Sequence, residues 1–195
     1  TGLQNLDWVG RRALAHETVV EQFLSAPAVL PMQLFTLFTS DERAIEHVQK
    51  DIRKIEKILK RIDRHHEWGL RLTFDEKAAR AKVDAKAGRG RSDSGVDYLA
   101  RKRDLLDVNR VALGEAKTEA NRIYKALAGE ATDAVRRTSM EKAAPGSRLL
   151  LDAAFLVPVK RAAGFRAVLR KQARAIGASG VVVSLTGPWP PYNFI

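Results

Sequence analysis

The clearest pattern in the sequence is one apolar stripe at helical spacing in the first third of the chain. Its members recur every three or four positions over about five turns, which predicts an amphipathic helix. Thr39 and Glu42 stand in capping-box spacing and predict where this helix begins. The same periodicity predicts an earlier helix from Leu6 to Ser25, just before Pro27. The stripe consists of Ile45, Val48, Ile52, Ile55, Leu59 and Ile62.

An apolar run, AVLPMQLFTLF, lies between these two helices at residues 28–38. Because β-branched and aromatic residues follow Pro31, the run predicts a strand with the proline near its start or on a sheet edge. A buried helical segment is the alternative. As a structural or partner-binding strand, its candidate residues are Val29, Leu30, Pro31, Leu34 and Phe35.

The middle of the chain predicts one strand followed by a helical hairpin. Residues 68–74 alternate between large apolar and small or polar side chains, as a half-buried strand does. A polar helix from Asp75 to about Lys86, a Gly- and Ser-rich tip at residues 87–95 and a helix from Val96 to Ala128 follow. Apolar residues seven apart in the last helix favour a partner helix, and a coiled-coil hairpin over about 75–128 is expected. The repeat is Leu99, Leu106, Leu113, Ala120 and Leu127.

The last third completes a recognisable order of elements. From residue 68 onward the order is β-α-β-β-α-β, which is that of a ferredoxin-like antiparallel sheet with helices on one face. The predicted fold class is therefore α+β with two domains. Residues 1–66 form a partial α/β unit, a ferredoxin-like remnant with a connecting helix, which we expect to be cut short at its N-terminus. Residues 67–195 form the ferredoxin-like domain with the hairpin. The closing elements are strands at 132–140, 149–157 and 181–185 and a helix at 158–176.

Composition narrows the classes of function. The 195 residues contain no cysteine, so disulfides and thiolate chemistry are excluded. No apolar stretch approaches the roughly 20 residues of a membrane helix, so no membrane segment is expected. The net charge of +11 would attract nucleic acid, an anionic membrane or an acidic protein, and it does not choose among them.

Residues with catalytic or metal-binding chemistry are sparse. His65, His66 and Glu67 are adjacent, and consecutive side chains point in different directions and cannot enclose one ion, so a helix-end cap is the better interpretation. His16 and His47 have no nucleophile in view. We expect no catalytic residue, no metal, no cofactor and no small-molecule substrate.

The end of the chain, residues 186–195, is stiff and apolar, with three prolines and three aromatic residues. Because proline fixes φ, such a segment loses little entropy on docking. An internal strap that closes the core of the protein is favoured, and a proline-rich ligand for a partner is the alternative.

The ending LTGPWPPYNFI resembles that of the gas vesicle protein F/L family (GvpF/GvpL), and further matches run through the chain. His16 and Glu17 resemble the family's HExVV helix, Val29 to Pro31 its VLP strand, and Glu67 and Tyr98 the starts of later elements. Two departures are a lost glycine after VLP and the absence of the strands that usually precede HExVV. The tail residues that carry the match are Gly187, Pro188, Trp189, Pro190, Pro191, Tyr192 and Phe194.

The resemblance implies a cytoplasmic, non-enzymatic accessory or minor structural protein of the gas vesicle. Its expected partners are the small hydrophobic major shell protein and other gas vesicle accessory proteins, with no membrane and no nucleic acid. An exposed strand edge at residues 28–38, or an apolar groove, could cap a shell subunit. A basic nucleic-acid-binding module with a ferredoxin-like sheet is the alternative, although the middle strands lack the aromatic motif of RNA-binding sheets.

Overall fold

The computed structural model describes residues 4–79, 95–138, 144–176 and 180–195, of which 95–102, 104–107 and 109 are described as backbone only. Within these ranges the structure has four long helices and four strands. The helices are α1 (Leu6–Glu21), α2 (Asp41–Ile62), α3 (Gly95–Ala128) and α4 (Ala162–Ile176). The strands are β1 (His65–Asp75), β2 (Asp133–Arg136), β3 (Ser147–Pro158) and β4 (Val181–Trp189), and short 3-10 helices span Val159–Arg161 and Tyr192–Phe194.

The four strands form one antiparallel sheet in the order β2-β3-β1-β4. The central pair is in register with Trp68 opposite Phe155 and Leu70 opposite Ala153. On the other side of β1, Leu70 lies opposite Leu185. The predicted mixture of helices with an antiparallel sheet is confirmed, and so is the predicted succession of strands and helices in the second half.

The main core lies on one face of this sheet, under α3 and α4. Alternate residues of the two central strands point to that face, and helix residues at three- and four-residue spacing meet them. Phe155 packs between Tyr124 and Phe165, with ring centroids 5.6 and 5.4 Å apart. The buried residues are Trp68, Leu70, Leu72, Leu151, Ala153, Phe155 and Val157 from the strands, and Ala120, Ile123, Leu127, Phe165, Leu169 and Ile176 from the helices.

The strand predicted at residues 28–38 is wrong. These residues form an irregular segment with a turn at Leu34 and Phe35, where Thr36 donates its backbone N–H to the Gln33 carbonyl. Phe35 has a φ of 66°, outside the extended region. Apolar composition alone does not make a strand, because an isolated strand leaves its backbone groups unpaired and no other strand within residues 4–64 is described to pair with it.

Smaller corrections concern element ends. The Ser40 side chain, and not Thr39, caps α2 by accepting from the backbone of Arg43. β2 is four residues long, shorter than predicted, and residues 139–143 lie outside the described ranges. A 3-10 turn precedes α4. None of the described helices is long and apolar enough to cross a membrane.

The predicted hairpin is described only in part. Residues 76–79 are helical, and residues 80–94, with the rest of the first helix and the tip, lie outside the described ranges. Ala79 packs beside Ala116 of α3, next to Phe74. Ala120 and Leu127 of the heptad repeat are buried against the sheet, and the side chains of Leu99 and Leu106 lie outside the described part of the chain. The coiled-coil hairpin stays a prediction.

Candidate functional site

The face of the sheet opposite α3 and α4 carries a polar and partly buried site. We call it the helix-free face because neither of these two helices covers it. Glu67, Gly69 and Arg71 of β1 point to this face because they alternate with the core residues Trp68, Leu70 and Leu72. Asp152 and Leu156 lie on the same face of β3, where Leu156 is opposite Glu67 and Asp152 is opposite Arg71. Both carboxylates, Glu67 and Asp152, are almost fully buried.

The C-terminal tail folds back over one end of this face. β4 runs as far as Trp189, which lies opposite Glu67, and includes a cis peptide bond between Gly187 and Pro188. Gly187 has a φ of +121°, and a Cβ there would sit 2.8 Å from the Glu67 carbonyl oxygen, so a side chain would be both strained and in collision. Beyond β4, Pro190 and Pro191 are buried. The tail thus turns tightly against β1.

Phe194 anchors the end of the tail. It is only 4% exposed and packs on Ala154 and Leu156 of β3 in a cluster separate from the main core. The neighbouring Ile195 is 45% exposed. The tail therefore lies on its own chain with one deeply buried ring, as the internal-strap interpretation expects.

Asn193 fastens the same segment to Glu67. Its backbone N–H donates to Glu67 Oε2 at 2.8 Å, and its side-chain Nδ2 donates to Oε1 at 2.5 Å. Burial raises the pKa of Glu67, while the two hydrogen bonds from Asn193 and the charge of Arg137 oppose that rise. Both carboxylate oxygens are satisfied, which is what a buried carboxylate requires.

Tyr192 connects the tail to the N-terminal part of the chain. Its hydroxyl donates to Glu17 Oε2 of α1 at 2.8 Å. Burial, followed by this hydrogen bond, raises the pKa of Tyr192, so the hydroxyl keeps its proton and remains a donor. Through Glu17 and Glu67, the tail contacts two elements that are 50 residues apart in the sequence.

Asp152 is the second buried carboxylate and is held by two arginines. Arg71 Nη2 donates to Oδ2 at 3.0 Å, and Arg137 Nε donates to Oδ1 at 2.8 Å. Gly69 makes room for this group, since a Cβ there would lie 2.7 Å from Thr186 Oγ1 and 3.3 Å from Arg137. The negative charge is neutralised inside the protein and is not presented to a ligand.

The structure brings several of the residues singled out from the sequence together and leaves others apart. Glu17, Glu67, Tyr192 and Phe194 meet around the tail. His16 lies on α1, and Tyr98 lies in α3 with its side chain outside the described part. Among Val29, Leu30, Pro31, Leu34 and Phe35, Pro31 is buried and Phe35 stacks on Trp8 at 5.9 Å.

Sequence reasoning missed Asn193, Asp152 and Arg137 as members of the site. Asn193 stands inside the family-like ending, so its position was the available signal, but its partner is 126 residues away. Asp152 interrupts the apolar run of β3, and a charge within a buried strand signals a paired group.

His65 and His66 contact different parts of the chain. His65 Nδ1 lies 2.6 Å from the Asp63 carbonyl oxygen and Nε2 lies 2.8 Å from Thr132 Oγ1. Because Asp63 is the C-cap residue of α2, His65 of β1 contacts the C-terminal end of that helix. No group of three or more metal-capable side chains occurs among the described residues. Within residues 67–73 of β1 and 152–156 of β3, none of the side chains on the helix-free face is aromatic. These two strands therefore do not offer the stacking platform of RNA-binding sheets on that face.

A second candidate surface is the exposed part of the apolar stripe on α2. Ile62 is fully buried at the end of the helix, whereas Ile45 is 55% exposed and Val48 and Ile52 are also exposed. These three residues share one face of the helix because they are three and four positions apart. We call them the α2 stripe. Other large apolar residues, Leu6, Leu14, Val19, Phe23 and Leu37, are exposed in the same half of the chain.

Comparison with solved structures defines the fold first. The crystal structure of the gas vesicle protein GvpF from Anabaena sp. PCC7120 matches with a TM-score of 0.69 at 16% identity, over 95% of this chain and 74% of that one. The crystal structure of GvpF from Microcystis aeruginosa matches with a TM-score of 0.64 at 15% identity, over 94% and 77%. The fold is therefore one shared with gas vesicle proteins.

Sequence comparison then shows the family. The family model for the gas vesicle synthesis protein GvpL/GvpF matches residues 2–195. Gas vesicle protein L of Streptomyces sp. (strain CB03234) is 30% identical over 98% of this chain and 71% of its own length. Gas vesicle protein F of the same strain is 29% identical over 95% and 77%. The chain belongs to the GvpL/GvpF family of gas vesicle proteins.

Proposed function

We propose that this protein supports gas vesicle formation in the cytoplasm by binding the major shell protein, and that the α2 stripe is a principal contact. The family relationship supports a role in gas vesicles. The observation that carries the finer proposal is the exposure of Ile45, Val48 and Ile52 together on one face of α2.

The energetics favour such a contact. Burying a large aliphatic side chain contributes about 1.5 to 3 kcal/mol, and each residue of the stripe is roughly half exposed, so a partner could gain about 3 kcal/mol over the three residues. That gain corresponds to roughly a hundredfold in affinity. A partner helix with its own apolar face would fit, as amphipathic helices fit grooves.

Residues 28–38 do not offer a strand edge to a partner, because they do not form a strand. Phe35 and Phe38 flank the start of α2 as part of an irregular segment, where Phe38 packs against His47 at 5.4 Å between ring centroids. The candidate contact residues of this segment remain proposed contacts, as members of an irregular segment and not of a strand. They are Val29, Leu30, Pro31, Leu34 and Phe35. The positive net charge would speed encounter with an acidic partner.

We also propose that the two domains predicted from the sequence have different roles. Residues 1–66 would carry the partner contact, and residues 67–195, with the hairpin over about 75–128 and the tail at 186–195, would form the stable platform. The buried tail supports this assignment, because its anchoring groups are turned inward.

The test is co-purification of a tagged chain with the major shell protein. Ile45→Gln combined with Ile52→Gln should reduce the recovered shell protein about tenfold or more, since about two thirds of the expected apolar gain is lost. Val111→Gln is the matched control, because Val111 is an exposed aliphatic residue (58%) on α3. Equal recovery with the double variant and the control, both folded, would refute this assignment of the surface.

A further inference from the structure

The two edges of the sheet differ in how they are protected. The β2 edge has four residues with charges at both ends, and both charges are engaged: Asp133 with Arg61, and Arg136 with Asn121. The β4 edge has nine residues, VVVSLTGPW, and no charged side chain, in a chain with 29% charged residues. Soluble proteins normally protect a long edge strand with charges, bulges or coverage. The β4 edge lacks the charges.

In the part of the chain that the structure describes, no second strand pairs with the outer backbone groups of β4. Among the described residues, the backbone of β4 pairs with β1 alone. Val182 is 54% exposed, and Ser184 and Thr186 are exposed beside it on the helix-free face. On the opposite face, Val183 and Leu185 are partly buried at the margin of the main core.

The strand is complementary to itself. If two copies of β4 pair antiparallel about Ser184, then Val182 faces Thr186 of the other copy and Val183 faces its Leu185. On the core side Val183 and Leu185 thus meet across the pair while Val181 faces Gly187, and the exposed row pairs β-branched residues across a central serine, which is a favourable cross-strand pattern. Gly180, with a φ of 75°, and Pro188, which has no N–H, limit the pairing to about residues 181–187.

We propose that the β4 edge is a self-association surface, on which a second copy of this chain adds its own β4 to make a continuous eight-stranded sheet. The absence of charge favours a second copy because no like charges are brought together along the strands. This surface is separate from the α2 stripe, so the proposal goes beyond the binding of the shell protein and does not depend on it.

The association is expected to be weak and strengthened by salt. One short strand pair buries much less than the 1,200 to 2,000 Å² of a standard interface, which makes a transient dimer the expectation (about 1,600 Å² is typical). Each copy carries a net charge of +11, and α4 alone carries four cations, Arg166, Arg170, Lys171 and Arg174, without an acidic residue. Raising the salt shortens the screening length from about 10 Å at 0.1 M to about 3 Å at 1 M and removes this repulsion.

Disulfide trapping tests the proposal, because the chain has no cysteine of its own. Ser184→Cys would place the new thiol opposite its copy, at a Cα separation of about 4.5 to 5.5 Å, which suits a disulfide. Thr186→Cys is the register control, since its copies would be about 14 Å apart along the paired strands. Thr118→Cys, on an exposed position of α3, is the control for random collision.

Under mild oxidation, Ser184→Cys should form covalent dimer about tenfold faster than either control, and faster still at 1 M salt. Adding Val182→Lys should suppress the cross-link, whereas adding Val159→Lys, at an exposed valine away from the edge, should not. Equal rates for the three cysteine variants would overturn the proposal, and so would the fastest reaction at position 186 or 118. Suppression by salt would also overturn it, because attraction between charged groups would then drive the contact in place of pairing between uncharged strands.

Discussion

Removing the Phe194 ring is the sharpest perturbation of the packed tail. Phe194 is 4% exposed and packs on Ala154 and Leu156. Phe→Ala substitutions in protein cores cost about 3 to 5 kcal/mol, and the lower end applies because a chain terminus can relax into the space. We therefore expect Phe194→Ala to lower the free energy of unfolding by about 3 kcal/mol.

The loss should exceed the ring's own contribution only if the tail detaches. Asn193, the next residue, gives Glu67 two hydrogen bonds, and each is worth about 0.5 to 1.5 kcal/mol, or more to a charged group. Full detachment would therefore bring the loss to about 5 kcal/mol. For a chain of this size, 3 kcal/mol corresponds to a fall in melting temperature of roughly 6 to 12 °C.

The assay is equilibrium unfolding in urea, followed by circular dichroism, of Phe194→Ala beside Ile195→Ala. Ile195 is the neighbouring apolar residue but is 45% exposed, so its replacement should cost less than about 1 kcal/mol. The Phe194 variant should keep its affinity for the shell protein at temperatures where it remains folded. Equal midpoints for the two variants would show that the tail does not strap the sheet, and lost binding without lost stability would make it a partner ligand.

Three further predictions concern the helix-free face. Burial raises the pKa of Glu67 above its ordinary value of 4.5, so the stability that Glu67 gains by protonation is complete below that value and is lost as the pH rises through the folded-state pKa. The advantage of wild type over Glu67→Gln in urea unfolding should therefore grow from pH 7 to pH 5, and a constant difference would contradict the pKa direction. Gly69→Ala should destabilise by about 1 to 3 kcal/mol because its methyl group meets the Thr186 hydroxyl, whereas Gly164→Ala, in an open position of α4, should stabilise by about 0.5 kcal/mol; thermal melts that move in the same direction would contradict this. Asp152→Asn should lower the free energy of unfolding in urea by about 2 kcal/mol. This cost is below that for fully buried pairs because both partner arginines are about one third exposed. An unchanged midpoint would show that these ion pairs do not stabilise the fold.

The second half of the fold was accessible from sequence because its signals are local. Alternation in residues 68–74 and the apolar run at 149–157 placed the two central strands, and Val181 to Leu185 placed an edge strand. In residues 68–74, the side chains that face the core also set the period. The packing of the tail against the protein could also be predicted from the sequence, because exposing three aromatic side chains to water is unfavourable.

The first half was less accessible, for a physical reason. Residues 28–38 are as apolar as a strand, but a strand needs a neighbour to satisfy its backbone, and the sequence does not show whether a neighbour exists. The buried pairs were also hidden. Glu67 and Asn193 are 126 residues apart, and no local sequence pattern at either residue indicates that the other is its partner. Such contacts follow from the packing of the whole chain.

The most direct test of the proposed function is recovery of the major shell protein with the intact tagged chain from cells that produce both. We predict that the shell protein is retained through washes at 0.5 M salt and after nuclease treatment, because the contact is apolar and salt screens only the electrostatic part. Failure to recover the shell protein would contradict the account. Recovery that disappears with salt and nuclease would also contradict it, and would favour nucleic acid as the partner of this basic chain.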